Sequence, residues 1–273
     1  MTTAPVEIKD GYVESKGNRL HYLEAGSGFP LVLLNGRDAL LSGEQWRLNM
    51  PALAGVAHVY ALDVLGYGKS DLPTTGYTFS TFVDMLEGFL DALGIEKADI
   101  GGQSLGGWFA TLFAWRHPER TRKLILVGNA GANLQGPPAP TEWTPPEKDY
   151  IRERFEWAWA DNVEITDAMV DEYYELARRP GRGEAWLALI GATHDMAERE
   201  KYLLLDKLPD VKSPTLIVWG SNPTGIGLEH AHSQDERLPN SRLVIIEGGS
   251  HSAQGIKPRE FEREAVAFLK EPM

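Results

Sequence analysis

The most restrictive feature of this sequence is a regular alternation of short apolar runs with amphipathic stretches. The apolar runs predict strands at Leu31–Leu34, Val56–Leu62, Ala98–Gly101, Lys123–Val127, Pro214–Trp219 and Arg242–Ile246. The stretches between and after them predict helices at Ser80–Leu93, Leu105–Arg116 and Glu260–Lys270. This order indicates an α/β protein, with a mostly parallel twisted sheet and helices on both faces. Strands that are apolar along their whole length fit a sheet that is covered on both sides.

The middle of the chain interrupts this alternation. Residues 133–208 show no strand pattern and begin with a proline-rich stretch. Helical patterns follow at Lys148–Ala160, Asp167–Arg179 and Glu184–Leu205. We therefore expect one core built from residues 1–132 and 209–273, with residues 133–208 forming a helical lid over the sheet.

Composition excludes several classes of function. The 27 basic and 39 acidic residues give a net charge of −12, which argues against a nucleic-acid partner because phosphate binding needs a positive field. The absence of cysteine excludes disulfides, thiolate metal sites and a cysteine nucleophile. His230 and His232 stand two residues apart on a predicted helix and face different ways, so no metal site is expected. No signal peptide is visible and no apolar run approaches the ~20 residues of a membrane helix, so a cytoplasmic protein is expected.

One motif carries the strongest chemical signal. Gly102-Gln103-Ser104-Leu105-Gly106 matches the pattern G-x-S-x-G, between a predicted strand and a predicted helix. Glycines allow the strand to turn at once into the helix, which exposes the serine hydroxyl at the carboxyl edge of the sheet. The N–H of Leu105 would then face a developing oxyanion from the helix N-terminus.

A serine hydroxyl is a poor nucleophile until a base removes its proton, and His251 is the best candidate for that base. It is the one histidine of seven that lies just after the last predicted strand, in Glu247-Gly248-Gly249-Ser250-His251. A loop at that edge of the sheet could bring its imidazole to Ser104.

With these residues in place, the chain resembles the α/β-hydrolase family. The resemblance rests on Ser104, His251 and four further stretches: Leu33-Leu34-Asn35-Gly36, Asp63-Val64-Leu65-Gly66-Tyr67-Gly68-Lys69-Ser70, Arg116-His117-Pro118-Glu119-Arg120 and Val218-Trp219-Gly220. It implies a serine nucleophile, a histidine base and no cofactor. It also implies an oxyanion hole formed by Leu105 and the loop Asn35-Gly36-Arg37. Within the family, Tyr67–Gly107 and Lys123–Ala132 look most like the carbon–carbon bond hydrolases of meta-cleavage pathways, which cut vinylogous diketones from aromatic degradation.

Two departures from the family pattern bear on catalysis. Asn35 stands where the family usually has histidine, and Pro223 occupies the usual place of the acid that orients the catalytic histidine. The family's other acid position, after the Lys123–Val127 strand, holds Gly128-Asn129-Ala130-Gly131. The acid fixes the imidazole tautomer and stabilises its protonated form. The candidates for a replacement are Asn222, Asn129, Glu247 and Asp38.

We therefore expect a cofactor-independent serine hydrolase that acts on a small, largely apolar carbonyl compound. An ester, a lactone or a vinylogous diketone would fit. One alternative is a lyase, isomerase or cofactor-free oxygenase of the same fold that uses His251 as a base. Another is a ligand-binding member that has lost catalysis. The expected partner is a small molecule, and a homodimer is one alternative for the assembly of the chain.

Overall fold

The computed structural model of the chain describes residues 6–134 and 138–272. Its strands are β1 (Lys9–Ser15), β2 (Asn18–Gly26), β3 (Pro30–Leu34), β4 (His58–Leu62), β5 (Ala98–Gln103), β6 (Thr121–Val127), β7 (Thr215–Gly220) and β8 (Ser241–Ile246). They form one eight-stranded sheet in the order β1-β2-β4-β3-β5-β6-β7-β8. The pairs from β4 to β8 are all parallel, while β2 runs antiparallel to both β1 and β4. The predicted fold class is confirmed.

The helices agree with the alternation read from the sequence. Outside the central segment they are α1 (Met50–Leu53), α2 (Phe79–Ala92), α3 (Leu105–Arg116), α8 (Leu228–Asp235), α9 (Ala253–Ile256) and α10 (Pro258–Lys270). Large side chains fill both faces of the sheet. Phe82 and Phe109 from α2 and α3 belong to one buried cluster, and Trp46 and Phe261 belong to the other. This two-sided burial explains why the central strands are apolar throughout.

Strands β1 and β2 were not predicted from the sequence. β1 is largely exposed and contains charged residues and a glycine, so it lacks an apolar run. Its pairing with β2 continues for seven residue pairs. The signal for this hairpin lies in the turn Lys16-Gly17, where both residues adopt positive φ.

The described residues of the central segment between β6 and β7 contain no strand. Their α-helices are α4 (Lys148–Trp159), α5 (Asp167–Leu176), α6 (Arg182–His194) and α7 (Met196–Tyr202). The last predicted helix is in fact two, because Asp195 leaves the helical conformation and caps α7 by accepting the N–H of Glu198. Tyr173 of α5 packs with Leu40 of the core and hydrogen bonds to Ser42 at 3.1 Å. The helices therefore rest on the loops that follow β3 and β4. The division into core and lid stays a prediction.

The C-terminal helix is fixed to the sheet through a buried lysine. The ammonium of Lys123, at the start of β6, donates to the carbonyls of Phe268, Leu269 and Glu271 at 2.6–3.2 Å. A positive charge at this end of α10 also complements the helix dipole. No helix in the described part of the chain is long and apolar enough to cross a membrane.

Candidate active site

A sharp turn joins β5 to α3, and Ser104 occupies it. Ser104 has φ 53° and ψ −114°, a conformation that costs a non-glycine residue on the order of 1–3 kcal/mol. Its N–H donates to the carbonyl of Val127 at 2.9 Å, and its carbonyl accepts the N–H of Ala130 at 3.1 Å. The turn is therefore fixed by β6 and the loop after it, which hold Ser104 at the carboxyl edge of the sheet.

Ser104 and His251 line the same cavity, which has a volume of about 510 Å³. The cavity lies between the carboxyl edge of the sheet and the helices α6 and α7. Its apolar lining comes from Leu105, Trp108, Ala130 and Ile226. Its polar lining includes Arg37, Asn133, Thr193, His194, Arg199, Thr224, Glu229 and His230. The two residues singled out from the sequence thus share one pocket.

His251 lies in the loop between β8 and α9, and its ring packs closely against Gly128. A Cβ atom at position 128 would lie 2.9 Å from Nδ1 of His251 and 2.7 Å from its carbonyl oxygen, so only glycine fits there. Nδ1 is buried and forms no hydrogen bond with any described residue. Burial, and then the positive charge of Arg37, lower the pKa of His251 to about 4. The imidazole is therefore neutral near pH 7 and able to accept a proton.

None of the four residues considered as orienters of His251 hydrogen bonds to its Nδ1, which corrects that expectation. Asn222 and Glu247 are exposed. Asp38 pairs with an arginine of α4 and accepts a backbone N–H of its own loop. Asn129 donates to Gln234 at 2.6 Å. The physical reason is positional, because Gly128 lies against the ring and the side chain of the next residue points toward α3 and α8.

The loop after β3 is held in place by buried amides. Asn35 accepts a backbone N–H of the loop after β4 at 3.0 Å, and its own amide donates to the carbonyl of Gly36 at 3.0 Å. The N–H of Gly36 donates to Gln45 at 3.2 Å. No described residue accepts a hydrogen bond from the N–H of Arg37. The N–H of Leu105, the first residue of α3, also lacks an acceptor within its helix.

Two arginines give the cavity a positive wall. Arg37 Nη1 donates to His194 Nε2 at 2.8 Å, and His194 Nδ1 lies 2.9 Å from the carbonyl of Ile190. A guanidinium group can only donate hydrogen bonds, and a carbonyl can only accept them. His194 therefore accepts at Nε2 and donates at Nδ1, so its ring is neutral with the proton on Nδ1. No carboxylate of the described chain lies within ion-pair distance of Arg37. Arg199 is also buried, and both this burial and the charge of Arg37 lower its pKa.

The sequence analysis named Arg37 only as part of a loop and missed Arg199 and Trp108 as lining residues. Trp108 extends from α3 into the cavity and donates its indole N–H to the carbonyl of Tyr202 at 2.8 Å. The Arg199 guanidinium lies 5.2 Å from the centre of the Trp108 ring. A tryptophan four residues after the serine could have signalled this wall. Arg199 gave no such signal, because its place depends on how the central helices pack on the core.

Comparisons with known proteins identify the family of this chain. A family model of the alpha/beta hydrolase fold matches residues 30–166. The chain is 36% identical to 2-hydroxymuconate semialdehyde hydrolase of Pseudomonas sp. strain CF600, over 93% of this chain and 92% of that protein. It is 28% identical to 2-hydroxy-6-oxo-6-phenylhexa-2,4-dienoate hydrolase of Comamonas testosteroni, over 92% and 91% of the two chains. The structure of a serine hydrolase involved in carbazole degradation is similar with a TM-score of 0.80 at 27% identity, over 96% and 99% of the two chains.

This chain therefore belongs to the α/β-hydrolase family. It is similar to hydrolases that act on meta-cleavage products, so the resemblance inferred from its sequence is confirmed.

Proposed function

We propose that this hydrolase cleaves a carbon–carbon bond in a small vinylogous diketone, with Ser104 as the nucleophile and His251 as its base. One observation carries the proposal: a serine in a strained turn shares a 510 Å³ cavity with a partly buried imidazole. The relatives named above support the choice of bond, since their names describe hydrolases of dienoates and of a muconate semialdehyde.

The reaction would proceed in two stages. Ser104 Oγ bonds to the substrate carbonyl carbon while its proton passes to Nε2 of His251, the ring nitrogen not packed against Gly128. The N–H groups of Leu105 and Arg37 stabilise the oxyanion. When the tetrahedral intermediate collapses, the electron pair of the carbon–carbon bond moves into the conjugated system. The carbon atom that separates from the carbonyl carbon, and belongs to the conjugated chain, receives the proton from His251. Water activated by His251 then releases the acyl group as a carboxylic acid and restores Ser104.

The positive wall of the cavity indicates that the substrate carries an anionic group. Arg37 and Arg199 face a cavity whose acidic lining residue, Glu229, has a mostly exposed side chain. Two guanidinium groups of like charge in one cavity repel each other, and a substrate carboxylate would offset this repulsion. The second carbonyl of the vinylogous diketone would supply the electron sink that carbon–carbon cleavage needs.

The test is the turnover of 2-hydroxymuconate semialdehyde, followed by the loss of its visible absorbance. Ser104→Ala and His251→Ala are each expected to lower kcat by about a thousandfold or more. Ser213→Ala is the matched control, because Ser213 is a buried serine that hydrogen bonds to Thr121 outside the cavity. It is expected to keep full activity.

Two outcomes would contradict the proposal. Activity that survives Ser104→Ala but not His251→Ala would favour proton abstraction by His251 alone, as in a lyase or isomerase. Tight binding of the substrate by the unmodified protein without turnover would favour a ligand-binding role.

The helical segment between β6 and β7 is proposed to act as the lid of this cavity, since α6 and α7 supply its upper wall. A cytoplasmic location and a homodimer also stay predictions. Light scattering of the purified protein would decide whether it is a dimer.

A further inference from the structure

We propose that Gln103 is a positioning residue that takes over part of the work of the missing acid, by holding His251 through its main chain. This inference rests on the proposed roles of Ser104 and His251. In a complete triad an acid holds the histidine by its ring. Here Nδ1 has no hydrogen-bond partner among the described residues, so the ring must be placed in another way.

The contact that we propose replaces the hydrogen bond between acid and histidine comes from Gln103, the residue directly before Ser104. Gln103 is the last residue of β5 and is 2% exposed. Its Nε2 donates to the carbonyl oxygen of His251 at 3.3 Å. The side chain of Gln103 therefore links β5, the strand that leads into Ser104, to the backbone of His251.

Two neighbouring glycines make room for this arrangement. A Cβ at position 36 would lie 1.8 Å from Oε1 of Gln103, so the side chain can occupy its place only beside a glycine. A Cβ at position 128 would lie 2.7 Å from the His251 carbonyl oxygen that accepts the bond. Gln103 thus lies between the loop after β3, which contains Gly36, and the loop after β8, which contains His251, and it contacts both.

Other amides hold the segment after His251, but neither of the two described below donates to His251 itself. Asn49 donates to the carbonyl of Gln254 at 3.0 Å, and Asn162 donates to the carbonyls of Gly255 and Ile256. These bonds fix α9 as a whole. The bond from Gln103 is the one that acts at the catalytic position, and loss of it would let the imidazole shift relative to Ser104.

The experiment compares Gln103→Met with Gln254→Met. Both residues are buried to the same degree, at 2% exposure, but no hydrogen bond joins the side chain of Gln254 to His251. Gln103→Met is expected to lower kcat about 10- to 100-fold, because displacement of a catalytic group by about 1 Å has an effect of this size. KM should change less than about twofold, since the arginine wall is untouched. Gln254→Met is expected to keep kcat.

A second readout is independent of turnover. In protein labelled with ¹⁵N-histidine, the ring resonances of His251 should shift or broaden in Gln103→Met and stay in place in Gln254→Met. If Gln103→Met folds poorly, Gln103→Glu takes its place in both measurements. A glutamate carboxylate keeps the shape of the side chain but has no N–H to donate, so the same loss of kcat and the same change in the His251 resonances are expected.

Unchanged kcat and unchanged His251 resonances in folded Gln103→Met would overturn the proposal. So would an equal loss of kcat in both variants, or an effect on KM alone. The NMR comparison distinguishes this failure from failure of the proposed function, because it reports on the ring even if Ser104→Ala turns out to be active.

Discussion

At the scale of one residue, the surroundings of His251 set the pH range in which its ring is neutral. Burial, and then the charge of Arg37, lower the pKa of this histidine from 6.5 to about 4. Above pH 4 the ring is neutral and can act as a base. We therefore expect kcat/KM to keep its plateau well below pH 6.5 and to fall only as the pH approaches 4, which a pH–rate profile would measure.

The same shift predicts a loss of stability in acid. The unfolded chain takes up a proton on this histidine near pH 6.5, whereas the folded chain resists protonation until about pH 4. This contribution to stability is therefore complete above pH 6.5 and is lost as the pH falls toward 4. Urea unfolding of the protein and of His251→Ala at several pH values would measure it. An acid limb of kcat/KM near 6.5 would contradict both predictions.

Arg37 provides a second prediction at this scale. Arg37→Met removes one cause of the lowered pKa and one charge of the cavity wall. The acid limb of kcat/KM should move upward, and KM for a carboxylate substrate should rise about tenfold or more, as for loss of a charge-assisted hydrogen bond. KM for a neutral aryl ester should change little. An equal rise for both substrates would mean that the variant had only distorted the cavity.

The turn from β5 to α3 is the element on which the site depends most. Gly106 lies in the first turn of α3, and a Cβ there would lie 2.4 Å from the carbonyl oxygen of Asn35 and 2.7 Å from that of Leu34. Gly106→Ala must therefore push α3 away from β3. We expect a loss of about 1–3 kcal/mol in the free energy of unfolding, together with a large loss of kcat.

Gly191→Ala is the control for this element. Gly191 lies within α6, and a Cβ there would meet no atom within 4 Å. It should leave the free energy of unfolding unchanged or raise it by up to about 1 kcal/mol, because alanine favours the helix. Urea unfolding and turnover of both variants would test the pair. A stable, active Gly106→Ala would show that α3 is not pressed against β3.

The elements differ in how well the sequence predicts them. The central strands and α3 were predicted because burial on both faces leaves a continuous apolar pattern, and the turn at Ser104 because its glycines are required locally. β1 was missed because an exposed edge strand needs no such pattern. The contacts of Nδ1 could not be predicted, since they depend on how loops from distant parts of the chain meet. Arg199 was missed for the same reason.

At the scale of the whole molecule, a buried arginine joins the central helices to loops of the core. Arg182 of α6 is 4% exposed, and its guanidinium donates to the carbonyls of Gly66 and Ala39 in two core loops. Arg182→Met leaves both carbonyls without this donor. We expect a loss of about 1–3 kcal/mol in the free energy of unfolding and faster proteolysis within the helical segment.

Arg263→Met is the control for this contact, because Arg263 is largely exposed and its ion pair with Glu264 should contribute about 0–1 kcal/mol. Limited proteolysis and urea unfolding of both variants would compare them. Equal sensitivity would show that Arg182 does not attach the helices to the core.

The lack of a hydrogen-bond partner for Nδ1 of His251 among the described residues also affects which ring nitrogen carries the proton in the neutral imidazole. A neutral ring has one N–H, and burying that N–H with no acceptor costs about 1–3 kcal/mol. The proton therefore favours Nε2, the nitrogen that the proposed mechanism uses as an acceptor. Since about 1.4 kcal/mol corresponds to a factor of ten in population, a preference of this size would leave the tautomer that the proposed mechanism uses in the minority. On the proposed mechanism, turnover would then begin with a shift between the two neutral tautomers of His251.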